Sequence, residues 1–236
     1  MTFLGRVYER ARAMQRRVVL PEGGDARVRE AGLRIEREGL ATVDVLEPGT
    51  PHAARDTLVS YLRSRRPDRF PTDVAAIQAL EHPLTFGASL VGAGAADVMV
   101  GGAAYPTGDT IRAALWAVGC APGITTVSGA FYMMKGDMVL TFSDCAVVPE
   151  PTPEQLADIA VAAARDRRRL VEDEPVVALL SYSTKGSAAG PRVERVQRAV
   201  EVLRGRNPNF VFDGELQGDA ALALDVAARK APGSPA

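Results

Sequence analysis

The stretch that most constrains this chain runs Gly94-Ala-Ala-Asp-Val-Met-Val-Gly-Gly-Ala-Ala-Tyr-Pro-Thr-Gly-Asp-Thr-Ile-Arg-Ala-Ala-Leu115. Residues 97–100 form a short apolar run suited to a buried strand, and Gly101, Gly102, Pro106 and Gly108 then break regular structure. Asp109 or Thr110 can cap a helix on which Ile111, Leu115 and Val118 share one face. Strand, small-residue loop and helix start follow one another. Such a loop lets backbone N–H groups and the positive end of a helix approach an anion. Arg112, in the first turn, adds a planar guanidinium that can hold phosphate by two donors. The plainer alternative is an ordinary connection between strand and helix, with Arg112 in solvent.

The flanking chain repeats the alternation. Residues 17–20 read as a strand ended by Pro21, Gly23 and Gly24, and Asp25 caps a helix that stops at Gly39. Residues 42–46 read as a second strand. Thr50-Pro51 starts a helix that ends in a basic turn holding Arg63, Arg65 and Arg66, which by itself complements the helix dipole. Further helices are expected over 72–80 and 83–92. Residues 124–134 and 138–148 look like the strands of a hairpin turning at Lys135-Gly-Asp, with Ser128 in mid-strand. Pro149, Pro151 and Pro153 mark a domain boundary, giving an N-terminal α/β lobe over 1–148 and a second one over 149–236. Thr152-Pro-Glu-Gln155 is a capping box with Pro at the first helical position.

Residues 175–180 are continuously apolar, as in a strand covered on both faces, and end in Ser181-Tyr-Ser-Thr-Lys-Gly-Ser187. In open α/β sheets ligands gather at the carboxyl ends of strands. Hydroxyls and an ammonium concentrated there make either an anion cradle or a solvated loop. Only Lys135, Lys185 and Lys230 are lysines in a chain otherwise rich in arginine, so Lys185 stands out. A helix from Pro191, a strand over 210–213 and a last helix capped by Asp219 complete the reading. Strands alternating with helices argue for an α/β protein with mostly parallel sheets.

Composition excludes several classes. A formal net charge of −1 gives no global attraction to nucleic acid or to a membrane, so any anion site must be local. His52 and His82 lack metal-ligand spacing, which argues against a metal centre. Cys120 and Cys145 do not make a disulfide framework, and with no signal-like or membrane-spanning apolar run the expectation is a cytoplasmic protein.

Several stretches together resemble the phosphate acetyl/butyryl transferase family, best known as phosphotransacetylase. They include Leu20-Pro-Glu-Gly, Gly94-Ala-Ala-Asp, Thr107-Gly-Asp-Thr-Ile-Arg-Ala-Ala-Leu115, Val127-Ser-Gly-Ala-Phe and Phe142-Ser-Asp-Cys-Ala-Val147. Pro153-Glu-Gln-Leu-Ala-Asp-Ile-Ala160, Ala178-Leu-Leu-Ser-Tyr-Ser-Thr-Lys-Gly-Ser187, Asp213-Gly-Glu-Leu-Gln-Gly-Asp-Ala-Ala221 and Lys230-Ala-Pro-Gly-Ser follow in the family's order. The resemblance implies a two-lobed fold like that of the isocitrate and isopropylmalate dehydrogenases, usually as a homodimer. It implies reversible acyl transfer between coenzyme A and inorganic phosphate, with CoA as a substrate and no prosthetic group. By position, Arg112 is similar to the cleft arginine that holds the phosphoryl group, and Arg63 to a second basic residue on the substrate side. Thr107, Thr110, Ser128, Ser183 and Thr184 would line the cleft, with Lys185 nearby.

Two departures accompany the resemblance. A strand-and-helix segment that the family usually carries between Leu40 and Thr42 is missing. After Lys230-Ala-Pro-Gly-Ser, family members continue with a return segment that carries a Ser-Arg pair and an Asp assigned to thiolate formation, and these have no counterpart here. Either the sequence is a fragment of a longer protein, which leaves the second lobe incomplete, or it is a catalytically impaired module that binds an acyl-CoA as a regulator.

Overall fold

The computed structural model describes residues 2–49 and 52–235. The chain divides into two compact units, Met1–Cys120 and Ala121–Ala236.

The first unit opens with a helix that the sequence reading did not anticipate, α1 (Phe3–Met14), capped by the Thr2 side chain. β1 (Arg16–Leu20) follows, and then α2 (Ala26–Arg37), whose N-cap is Asp25 as its position predicts. β2 (Ala41–Val45) leads to α3 (Arg55–Arg65), α4 (Asp73–Leu80) and α5 (Pro83–Gly92). The helix start expected at Thr50-Pro51 lies outside the described residues. β3 is only Val98–Met99 and is followed by α6 (Thr107–Ala117).

The three strands form one parallel sheet in the order β2-β1-β3. Its core gathers Val19, Leu58, Leu62, Leu84 and Leu90, all buried. The 97–100 run is not the buried strand that its apolar residues suggest. It is an edge, with Val98 and Val100 exposed. The two-residue pairing to β1 is extended at each end by the Asp97 and Val100 amides, which donate to Arg17 and Val19 carbonyls at 2.9 and 3.1 Å.

The second unit begins with a loop and then an antiparallel hairpin of β4 (Ala130–Lys135) and β5 (Met138–Ser143). Ser128 therefore precedes the strand instead of lying within it. α7 (Pro153–Leu170) starts at the predicted capping box, with both reciprocal bonds between Thr152 and Gln155 present. β6 (Val176–Leu180), α8 (Pro191–Arg206) and β7 (Val211–Leu216) make a parallel strand–helix–strand unit. Its core is Ala157, Leu179, Ala199, Val200 and Leu203. β6 is not covered on both faces, because within a two-stranded sheet Val176 and Leu180 stay exposed. The last helix divides at Ala223 into α9 (Gly218–Leu222) and α10 (Leu224–Lys230), with Gln217 and not Asp219 at the first N-cap position.

The compact units divide at 120/121, whereas the prolines point to 148/149. The physical reason lies in polar contacts that local composition does not show. Asp158 on α7 accepts from the Thr125 and Thr126 hydroxyls, and Arg167 donates to the Val139 carbonyl at 2.9 Å. These contacts hold residues 121–148 to α7.

Candidate functional site

The loop between β3 and α6 does bind an anion through its backbone, and the anion is the protein's own. Gly102 and Ala103 amides donate to Glu22 Oε2 at 2.7 and 2.9 Å, and Ala104 and Tyr105 amides donate to Oε1 at 2.7 and 3.0 Å. Glu22 is 4% exposed. Burial alone would raise its pKa, but the N–H groups of Ala104, Ala103, Gly102 and Tyr105 outweigh that and hold the carboxyl below its usual range. Gly102 (φ +99) supplies the left-handed backbone that the wrap requires, and a Cβ on Gly101 would stand 2.9 Å from Leu84. The donors offered to a ligand in the sequence reading are therefore already occupied. The signal that could have revealed this was Leu20-Pro-Glu-Gly, a carboxylate at the carboxyl end of β1.

What remains available is the start of α6. Pro106 occupies its N-cap position, so neither Asp109 nor Thr110 caps it, and no side-chain cap bond forms. Thr107 is exposed in the first turn. Thr110 Oγ1 is buried yet has no hydrogen-bond partner among the described residues. Arg112 is 55% exposed and meets Asp109 Oδ1 at 2.7 Å. One contact of this i,i+3 kind is worth only a few tenths of a kcal/mol and leaves the guanidinium available.

The face of α6 also differs from expectation. Ala113 and Ala117 are buried, whereas Leu115 and Val118 are exposed. α5 and α6 approach so closely that a Cβ on Gly92 would lie 2.6 Å from the Ala117 carbonyl oxygen, which the Tyr61 hydroxyl also contacts at 2.6 Å. Only small side chains fit such an approach, so alanines win over the larger stripe.

Arg63 sits in the last turn of α3 and donates to Asp73 Oδ1 at 2.6 Å and to the Pro71 carbonyl at 3.3 Å. Those bonds tie α3 to the start of α4. A cavity of this unit, about 1060 Å³, opens at the carboxyl ends of β1 and β2, where Glu22, Asp44, His52, Arg55, Phe86 and Tyr105 contribute to its wall. Neither Arg63 nor Arg112 lines it. Sequence reasoning missed this cavity because its wall comes from five separate segments.

In the second unit the hydroxyl-rich turn after β6 is bound inward. Ser183 is fully buried and donates to Glu215 Oε1 at 3.1 Å, while Thr184 Oγ1 accepts the Gln217 amide at 2.9 Å. Lys185, at φ +48, pairs with the buried Asp213 carboxylate and donates to the Gly214 carbonyl at 3.1 Å. Three candidate ligand groups thus serve as ties to β7 and to Gln217 just after it. Ser128 is half-buried and makes no hydrogen bond among the described residues, and its neighbour Gly129 donates its amide to Asp144 Oδ1 at 2.7 Å.

Asp144, Asp158, Asp213 and Glu215 repeat the arrangement of Glu22: each carboxylate gathers a loop by accepting its donors. Asp158 is the strongest case. Burial works to raise its pKa, but Thr125, Arg206 and Thr126 hold it at about 2. No group of three or more His, Cys, Asp or Glu side chains able to hold a metal occurs among the described residues. Nor is any helix among them long and apolar enough to cross a membrane.

Parallel strands with ligand-accessible helix starts at their carboxyl ends place the chain in the open-sheet α/β class. Comparison with known proteins narrows this. The family model described as phosphate acetyl/butaryl transferase matches residues 43–236, and the chain belongs to that family. It is 40% identical over 250 residues to the phosphate acetyltransferase of Paracoccus denitrificans, covering 98% of this chain and 78% of that protein. It is 38% identical over 268 residues to the phosphate acetyltransferase of Treponema pallidum (strain Nichols), covering 100% and 80% respectively. A crystal structure of a phosphotransacetylase from Streptococcus pyogenes superposes with a TM-score of 0.89 at 34% identity, over 98% of this chain and 77% of that one.

Proposed function

We infer that the chain is a phosphate acyltransferase, moving an acetyl or other short acyl group reversibly between CoA and inorganic phosphate. The observation that carries this is the match over residues 43–236 together with near-complete coverage of this chain by phosphate acetyltransferases. CoA is a substrate here and no prosthetic group is invoked.

The chemistry requires charge stabilisation at two oxygens. A CoA thiolate attacks the carbonyl carbon of acetyl phosphate, the C–S bond forms, the C–O bond to phosphorus breaks, and phosphate leaves with the electron pair. Negative charge builds on the carbonyl oxygen and on the departing phosphate, and fixed donors lower both. Arg112 is assigned to the phosphate, supported by its exposure and its single weak ion pair. Thr107 and Thr110 precede it on α6 and are assigned to the same phosphate, which the exposure of Thr107 in the first turn supports. Arg63 is placed on the substrate side by position alone. Ser128, Ser183, Thr184 and Lys185 are assigned to the cleft wall, the last three as residues that shape it from within.

An isocitrate/isopropylmalate dehydrogenase-like pairing of two lobes, a homodimer and a cytoplasmic location belong to the same proposal. The apolar residues Phe131, Met133 and Met138 exposed on the hairpin support self-association.

The inward bonding of Ser183, Thr184 and Lys185 favours a second reading, a module that binds an acyl-CoA without efficient turnover. Phosphate-dependent release of CoA from acetyl-CoA, measured on this chain and on Arg112→Ala, decides. Turnover that Arg112→Ala abolishes supports the transferase. CoA binding by calorimetry with background release in both proteins supports the module.

A further inference from the structure

The second unit holds a cavity of about 490 Å³ whose lining includes Arg165, Arg168, Arg169 and Arg206 and no acidic residue. Val161, Arg165 and the pair Arg168 and Arg169 recur at helical spacing, so one face of α7 supplies most of the wall. Arg206 comes from the last turn of α8. Asn207, at φ +47, then turns the chain so that Phe210 closes the cavity with an aromatic ring.

Arginines collect at helix carboxyl ends for electrostatic reasons alone. That accounts for Arg168 and Arg169 on α7 and Arg206 on α8, which occupy last turns. They also have structural partners of their own. Arg168 meets Glu174 Oε2 at 2.7 Å and Asn209 Oδ1 at 2.8 Å, and Arg206 meets Asp158 Oδ1 at 2.6 Å. Arg165 fits neither explanation. It precedes the last turn of α7, its Nε is buried without a partner, and it makes no ion pair among the described residues. Its guanidinium is therefore not committed to a structural partner, and as a lining residue it can turn its outer nitrogens to a ligand.

We propose that this cavity binds the diphosphate group of a small phosphorylated molecule. Four guanidinium groups and no lining carboxylate suit a multiply charged anion, and planar forks hold phosphate oxygens two at a time. Val161 and Phe210 give the remainder of the ligand an apolar wall. The site lies wholly within the second unit, and its assignment does not rest on the acyl-transfer reading.

Calorimetric titration of the full chain in metal-free buffer, with inorganic pyrophosphate in one arm and ADP in the other, tests this. Saturable binding that weakens as salt rises is the expected result. Tighter binding of ADP than of pyrophosphate identifies a nucleotide, and equal or tighter binding of pyrophosphate identifies the free anion. Arg165→Gln lowers the affinity roughly tenfold or more, and Arg165→Lys restores part of it. Arg204→Gln, which removes a charge from the same end of α8 outside the lining, changes it little. Melting curves matching the parent show that the variants are folded.

Absence of binding to both ligands at about 5 mM, where only a site weaker than about 3 kcal/mol would escape detection, overturns the proposal. So does affinity that falls in Arg204→Gln as much as in Arg165→Gln, or that depends on Arg112 instead. Loss of acyl transfer in every protein tested would leave these binding results standing, so the two readings fail separately.

Discussion

Glu22 Oε1 accepts the Tyr105 backbone amide at 3.0 Å across 83 residues of sequence. With three further amides on the same carboxylate, the contact fixes the loop that delivers α6. Arg112 stands on that helix, so the position of the candidate phosphate ligand depends on a carboxylate at the end of β1.

Glu22→Gln is therefore expected to loosen the loop. The amide keeps one acceptor oxygen but turns an NH2 group toward backbone donors. A loss of about 2–3 kcal/mol is expected from unpaired buried donors. Urea unfolding monitored by circular dichroism checks it, and an unchanged midpoint would contradict the anchoring role.

Arg112→Ala should separate activity from stability. Its ion pair with Asp109 is exposed, so the melting temperature should stay within about 1–2 °C, corresponding to at most a few tenths of a kcal/mol. Phosphate-dependent CoA release should fall about 10²–10³-fold, the range for removing one charge-stabilising donor. Loss of stability without loss of turnover would reverse the assignment.

Lys185→Ala tests whether the turn after β6 is structural. Removing the ammonium leaves Asp213 buried beside a vacated position, and a loss of about 1–2 kcal/mol is expected after allowance for the partial exposure of Lys185. The double variant with Asp213→Asn should recover part of it. A large fall in turnover of Lys185→Ala with no change in denaturation midpoint would instead make Lys185 a substrate ligand.

Asp158 gives a pH prediction with a definite sign. Its folded pKa of about 2 lies below the ordinary value of 3.8, so its ionised form stabilises the fold. That contribution, on the order of 2 kcal/mol, is fully present above about pH 4–5 and fades as pH falls toward 2. Asp158→Asn should lower stability at neutral pH and flatten its decline between pH 4 and about 2. Parallel stability curves for the two proteins across that range would refute it.

Much of the element order was legible in advance, because the signals are local. Asp25 and Thr152 cap the helices that they precede, and Pro83, Pro153 and Pro191 each open one. Family motifs were equally legible, since they are runs of adjacent residues. The face of α6 was not, because its periodicity pointed to Leu115 while the close approach of α5 selected Ala113 and Ala117. The arginine cavity was invisible for a similar reason: its wall joins the end of α8 to a face of α7.

What the amino-acid order determined by itself is most of the element order and the starts of α2, α5, α7 and α8, since caps and prolines act within a turn or two of backbone. Tertiary structure alone decided which anion fills the loop at 102–105 and whether Ser183, Thr184 and Lys185 face a ligand or their own sheet. A buried polar group must be paired by whatever the fold brings within about 3 Å. For Glu22 that partner is some eighty residues away, a distance over which local sequence carries no signal.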